Sequence, residues 1–384
     1  MNLTPVVTRF TKKLHRSSLK ALIGGTFALA AASNAFADKM LDCPLRDEPF
    51  TLNTPFLDIL LSEDALAVFD QYYPGARDKM PPIFVKTETP AFGAIIAVGV
   101  AVSMGGDPGD IDAFAADLAK VQVTDADRKA RCARYSNEMP EVELPDTDKT
   151  VLVFTKINGF DHGPSVTAAT EAVQALAEQQ GWGVVVTDQP GIFTTKMLKN
   201  FDAVVWNNNS GDVLTLSQRK AFEKYITNGG GFVGVHGAGG DSSYYWDFYA
   251  NELLGAQFIG HPMEPQFQTA KLNVEAAKNG VVKDLAPGWS MKDEWYSFAE
   301  SPRNSGADVV VTIDESSYDP GKSFGKDLHM GEDHPIVWSR CIKDGRAFYT
   351  AIGHRKEVYN LPEPLAILRD GIAWAMGEGN PSCK

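Results

Sequence analysis

Seven histidines are spread along this 384-residue chain. The most suggestive is His236, within Gly229-Gly-Gly-Phe-Val-Gly-Val-His-Gly-Ala-Gly-Gly240. Gly231 to Val235 reads as a buried strand, and the glycines after it as a tight turn. A side chain on such a turn is pushed out at the strand's carboxyl end, as in a nucleophile elbow. Here that side chain is imidazole rather than hydroxyl or thiol. His162 follows a first strand within Asn158-Gly-Phe-Asp-His162; His261 follows Gly260, and His354 follows Gly353. Asp293-Glu294 adds two carboxylates, either of which can orient an imidazole or raise its pKa. Two chemistries fit. Neutral imidazoles can ligate a divalent metal such as zinc, His261 and His354 joining His236. Alternatively His236 is a general base, with His162 beside it and Glu294 orienting the ring. A sugar hydroxyl, or a carbon beside a keto group, is a target either could deprotonate. His329-Met-Gly-Glu-Asp-His334 concentrates imidazoles and acids, but not at the helical i,i+4 spacing of a chelating pair.

These residues need elements to position them. Thr215 to Asn228 reads as a helix with capping-box spacing between Thr215 and Gln218, stopped by Gly229. Val151 to Phe154, Gly183 to Thr187 and Ala203 to Trp206 read as strands. Pro164 suits a first helical position, and Val166, Ala169, Val173, Leu176 and Ala177 mark one helical face. Strand, turn, helix, strand is the grammar of an open α/β sheet, whose ligands sit beyond the strands' carboxyl ends. Later come strands over 266–274, 309–313, 336–339 and 346–350, the last two paired around Lys343-Asp-Gly345, and a closing helix over 362–376. Asn207 and Asn208 end the third strand, and their amides suit sugar hydroxyls. Tyr245, Trp246 and Tyr296 offer aromatic faces for a sugar ring, though aromatics at such spacing also pack inward.

The series Gly-Phe-Val-Gly-Val-His-Gly-Ala (231–238), Leu-Leu-Gly-Ala-Gln-Phe-Ile-Gly-His-Pro (253–262), Asp-Glu-Trp-Tyr-Ser-Phe (293–298), His-Pro-Ile-Val-Trp (334–338) and Gly-Arg-Ala-Phe-Tyr-Thr-Ala-Ile-Gly-His (345–354) resembles the ThuA-like (trehalose utilisation) family over about residues 150–378. The resemblance implies an α/β, flavodoxin-like fold of the class I glutamine amidotransferase type, an open sheet with helices on both faces. It also implies handling of sugars, disaccharides and their keto derivatives above all. The first loop resembles the family's Gly-Phe-Arg-His, but Asp161 replaces the cation. An amidotransferase would place cysteine where His236 stands, so an amidotransferase-like hydrolase is the weaker alternative. A non-catalytic carbohydrate-binding protein is another.

Residues 1–37 read as a bacterial export signal: Arg9, Lys12, Lys13, Arg16 and Lys20, an apolar run over 21–32, and Ala35-Phe-Ala37 before Asp38. The expected location is periplasmic or secreted, with no membrane attachment after cleavage. Without that segment the chain carries 31 Lys and Arg against 49 Asp and Glu, a net of −18. Such acidity argues against nucleic acid as a partner, since phosphate binding needs cations; a small-molecule carbohydrate is the expected ligand, and a homo-oligomer is left open. In an oxidising compartment the four cysteines form bridges, preferentially Cys43–Cys132 and Cys341–Cys383. Residues 38–136 read as a small helical domain with no visible chemistry and a packing or docking role. Residues 137–149 form a proline- and acid-rich linker, and 150–384 the α/β domain.

Overall fold

The computed structural model describes residues 40–378, apart from 105, 276–280, 283, 284 and 324, together with Cys383. The export signal expected over residues 1–37 lies outside the described residues.

Nine strands form one sheet: β1 (Thr150–Phe154), β2 (Gly183–Thr187), β3 (Ala203–Asn207), β4 (Gly231–Val235), β5 (Phe267–Val274), β6 (Gly288–Glu294), β7 (Asp308–Asp314), β8 (Pro335–Ile342) and β9 (Gly345–Thr350). Their order is β2-β1-β3-β4-β9-β8-β7-β5-β6. The first five are parallel, in the flavodoxin-like succession. The remaining pairings are antiparallel. The antiparallel half is a larger extension than the strand periodicity foretold, and it contains β6, whose sequence was read only as a pair of acids.

The parallel strands are apolar because both their faces are covered. The helix Leu216–Thr227 sets Phe222 against Trp206 and Phe232 on one face. On the other, the helix Pro362–Ala375 brings Gly371 so near Phe348 that a Cβ there would lie 2.3 Å from the ring. The expected capping box is present: Thr215 N–H donates to Gln218 Oε1 at 2.9 Å, and Gln218 N–H to Thr215 Oγ1.

The preceding segment is helical, as its patterning requires. It includes α1 (Phe56–Leu60), α2 (Glu63–Tyr72) and α3 (Ile111–Leu118), gathered around Phe56, Phe69 and Phe114, and α4 (Asp125–Cys132), whose Cys132 packs with Cys43 and Tyr135. The apolar stretch over 92–104, ambiguous by periodicity, is a turn followed by a short helix, Val98–Ser103. Met40–Lys384 forms one compact unit. Arg134 pairs with Asp58 at 2.5 Å, both buried. Ala91 N–H donates to Asn158 O at 3.0 Å, Asn158 Nδ2 to Arg134 O at 3.3 Å, and Gln218 Nε2 to Ser136 O at 2.8 Å. The helical segment is therefore fastened to the first strand–helix loop of the sheet. Cys43–Cys132 and Cys341–Cys383 are both disulfides, which suits an oxidising, extracellular compartment. Among the described residues no helix is long and apolar enough to cross a membrane.

Candidate functional site

His236 directly follows β4 with φ +39°. A non-glycine residue there costs on the order of 1–3 kcal/mol and persists only where surroundings impose it. Here Tyr349 Oη donates to the His236 carbonyl at 2.9 Å. The ring's Nδ1 stands 2.6 Å from Ala351 O, so in the neutral ring Nδ1 carries the proton and Nε2 the lone pair. Gly237 is required next: a Cβ would lie 2.7 Å from His162 Cε1.

Three imidazoles from three loops meet here. Ring centres are separated by 4.9 Å for His162 and His236, 5.0 Å for His162 and His354, and 5.2 Å for His236 and His354. Glu294, the last residue of β6, completes the cluster. Its Oε2 is 3.0 Å from His354 Nδ1 and 3.4 Å from His236 Nε2, and its Oε1 is 3.3 Å from His261 Nδ1. Gln266 Nε2 donates to the same Oε1 at 2.5 Å. Five strand spacings separate β4 from β6, about 24 Å in a flat sheet. The contact therefore demands a strongly coiled sheet whose far edge returns over the end of β4.

Asp293 and Glu294 face different tasks. Asp293 is buried and accepts from Gly353 N–H at 2.8 Å and Arg355 N–H at 3.0 Å, clamping the loop that bears His354. Burial raises its pKa. Burial would also raise that of Glu294, but its interactions with the His236, His354 and His261 rings outweigh it and hold the carboxyl well below its usual range. Burial lowers the pKa of His162, and the neighbouring imidazoles lower it further. His354 is pushed down by burial and up by Glu294, with the upward effect larger.

A cavity of ≈ 210 Å³ opens above this cluster, with His162, His354, His261 and Glu294 on its lining. His236 is fully buried and lies behind that lining, covered by Tyr296 at 4.3 Å between ring centres. This corrects the expectation that its turn pushes the ring out over the sheet edge: coiling brings Tyr296 across it. Phe160, Phe258 and Tyr296 add aromatic surface to the cavity. The opposite wall comes from the helical segment, through Ile83, Phe84, Phe92 and Ile95. The segment expected to carry no chemistry thus helps enclose the site. Phe160 lay within the histidine loop, but nothing local marked residues 83–95.

Other expected sugar contacts lie elsewhere. Asn207 and Asn208 are buried at the end of β3 rather than on the cavity lining. Asn207 Nδ2 donates to Val166 O and Thr170 Oγ1, and Asn208 Oδ1 accepts from Gly237 N–H at 3.3 Å. Their amides satisfy loop and helix backbone, the competing use of such side chains. Tyr245 and Trp246 also miss the cavity. Trp246 Nε1 donates to Glu223 at 2.7 Å under the Arg219 guanidinium, and its ring packs near Phe222 and Tyr249. His334 is buried between Glu315 at 2.7 Å and Tyr296 O at 2.8 Å, while His329 pairs with Asp327 at the surface. Neither joins the cluster. All four cysteines are in disulfides, so no thiol is offered for amidotransferase-like attack.

The family model described as "Trehalose utilisation", ThuA, matches residues 150–375. The chain belongs to the ThuA family. That membership ties it to a carbohydrate-related role. Among solved structures, a ThuA-like protein from Bacteroides uniformis superposes with a TM-score of 0.52 at 24% identity, covering 62% of this chain and 95% of that one. A ThuA-like protein from Parabacteroides merdae gives 0.46 at 18% identity, covering 60% and 90%. A GMP synthase protein from Thermoplasma acidophilum gives 0.36 at 13%, covering 60% and 94%. A search of curated proteins finds no match. The matched ThuA region contains every imidazole and carboxylate of the cluster and excludes the helical wall.

Proposed function

We propose that this ThuA-family protein is exported to the periplasm and takes a sugar ring, in glycoside or keto-glycoside form, into the cavity above the histidine cluster. There the imidazole–carboxylate floor removes a proton from a hydroxyl or from the carbon beside a keto group. The observation that carries this reading is the convergence of His162, His354 and Glu294 on one cavity with aromatic sides. Sugar rings have apolar C–H faces and polar rims, so Phe160, Phe258 and Tyr296 suit the faces and the floor suits the rim. His236 supports the floor from behind, and His261 steadies Glu294. The apolar wall, Ile83 to Ile95, favours a substrate whose second portion is itself apolar or presents a C–H face. The acidic surface and the two disulfides are in keeping with an exported small-molecule enzyme rather than a nucleic-acid partner.

The test is a screen of disaccharides, alkyl and aryl glycosides and their 3-keto forms, read by calorimetric binding and by product formation. His354→Ala should lower turnover about 10²–10⁴-fold, the range of a lost acid–base group. Wild-type protein that neither binds nor converts any of these sugars would overturn the proposal. Binding without conversion, weakened in His354→Ala, would make it a carbohydrate-binding protein instead.

A further inference from the structure

The atoms at and just behind the base of the cavity have a geometry of their own. His236 Nε2 and His354 Nδ1 are 3.2 Å apart, His354 Nδ1 and Glu294 Oε2 3.0 Å, and His236 Nε2 and Glu294 Oε2 3.4 Å. Tetrahedral ligands at about 2.0–2.1 Å from zinc lie about 3.3 Å from one another. The three measured edges bracket that value. We propose that His236, His354, Glu294 and His162 bind one divalent transition-metal ion, zinc by preference, at the base of this cavity. The inference builds on the site assigned above and names its cofactor.

Three further observations support it. Donor atoms of His162, His236 and His354 all fall within 4.8 Å of one another. His162 Nδ1 is buried without a hydrogen-bond partner, an unfavourable arrangement that a bound ligand would relieve. The surrounding contacts are those of a ligand-orienting shell: Ala351 O fixes the His236 tautomer, Gln266 Nε2 holds the other Glu294 oxygen, and Asp293 clamps the His354 loop. Three imidazoles and one carboxylate suit zinc and its neighbours better than calcium or magnesium, which take oxygen ligands. His162, His354 and Glu294 face the cavity, so a ligand's oxygen can approach the same point as a fifth ligand. When bound, such an ion polarises that oxygen and lowers the pKa of its proton.

The competing arrangement is a proton shared among His236, His354 and Glu294 with no ion. The experiment separates the two. Full-length protein is stripped with a chelator, dialysed, and titrated with zinc chloride and then cobalt chloride by calorimetry and visible absorption. The expected result is one equivalent per chain and cobalt d–d bands of a low-coordinate ion. His354→Ala and Glu294→Gln should each weaken binding at least tenfold, the scale seen even for shell residues. His261→Asn should preserve the stoichiometry. Circular dichroism of the metal-free variants checks folding, and wild-type stoichiometry decides the matter independently of them. Well under one equivalent on the wild type, or affinity unchanged in both folded ligand variants, would overturn the inference. Because the readout needs no sugar, metal binding without any glycoside response would sink only the functional proposal, and sugar turnover by metal-free protein only the metal.

Discussion

Asp293→Asn isolates positioning from chemistry. The carboxylate accepts two backbone N–H groups, from Gly353 and Arg355, at the same buried point. Asparagine keeps one acceptor and turns a donor toward the other N–H. One amide, and the new NH₂ group facing it, lose their partner. An unpaired buried donor costs about 1–3 kcal/mol. Relief of a carboxyl whose burial is unfavourable offsets part of that. With two donors unpaired and that offset subtracted, a net loss of about 1–3 kcal/mol lowers Tm by roughly 2–6 °C for a fold of this size, at about 2 °C per kcal/mol. Gly353 has little room to absorb the shift by moving inward, since even a Cβ added to it would stand 2.5 Å from Tyr359 Oη and 3.0 Å from His236 Cβ. The loop must therefore move outward and take His354 from Glu294. Sugar affinity and metal affinity should both fall, although neither ligand touches residue 293. The assays are thermal unfolding by circular dichroism and the two calorimetric titrations. A Tm within about 1 °C of wild type, the scatter of ordinary surface changes, with both affinities intact would refute the clamp.

Three other outcomes follow from the same geometry. Gly237→Ala should displace His162, since the added methyl would lie 2.7 Å from its Cε1; a stability loss of about 1–3 kcal/mol from overpacking and weakened zinc binding are expected, measured by urea unfolding and calorimetry. Burial pushes the Asp241 carboxyl up to about 7, where Ser210 Oγ–H at 2.6 Å and Gly211 N–H at 2.7 Å also reach it. Between about pH 4 and 7 the folded state then holds a proton that the unfolded state has released, so stability should fall as pH rises through that window and level off above it. Asp241→Asn should flatten that slope in a pH series of urea midpoints. Ile83→Ser with Met263→Ser should weaken binding of alkyl or aryl glycosides more than of the matching free sugar, because both residues line the cavity and are partly exposed; equal losses for both ligands would contradict an apolar subsite.

How much of this was legible depends on the range of the interactions involved. The His236 turn could be read because a run of five apolar or glycine residues and the following glycines are local. The same is true of Pro164 opening a helix and Lys343-Asp-Gly345 joining β8 to β9. The meeting of His162, His236 and His354 follows from parallel-strand grammar, which sends successive loops to one edge. Glu294 was legible as a carboxylate to orient the His236 ring, but not as one that also reaches His354 and His261. That depends on coiling across five strands, which no local pattern encodes. Ile83, Phe84, Phe92 and Ile95 were opaque for the same reason: their role is a contact with a loop some seventy residues later. Tyr245 and Trp246 misled because an aromatic ring suits a core as well as a sugar. Asn207 and Asn208 misled because an amide suits backbone as well as hydroxyls.

The helical wall has an evolutionary corollary. The reactive groups ride on the nine-stranded sheet and the loops at its edge, whereas Ile83 to Ile95 reach the cavity from a segment stapled separately by Cys43–Cys132. Substitutions in that stretch can retune which molecules are admitted while leaving the base of the cavity intact. Grafting it between relatives offers a modular route to new ligand preference that spares every atom charged with the reaction.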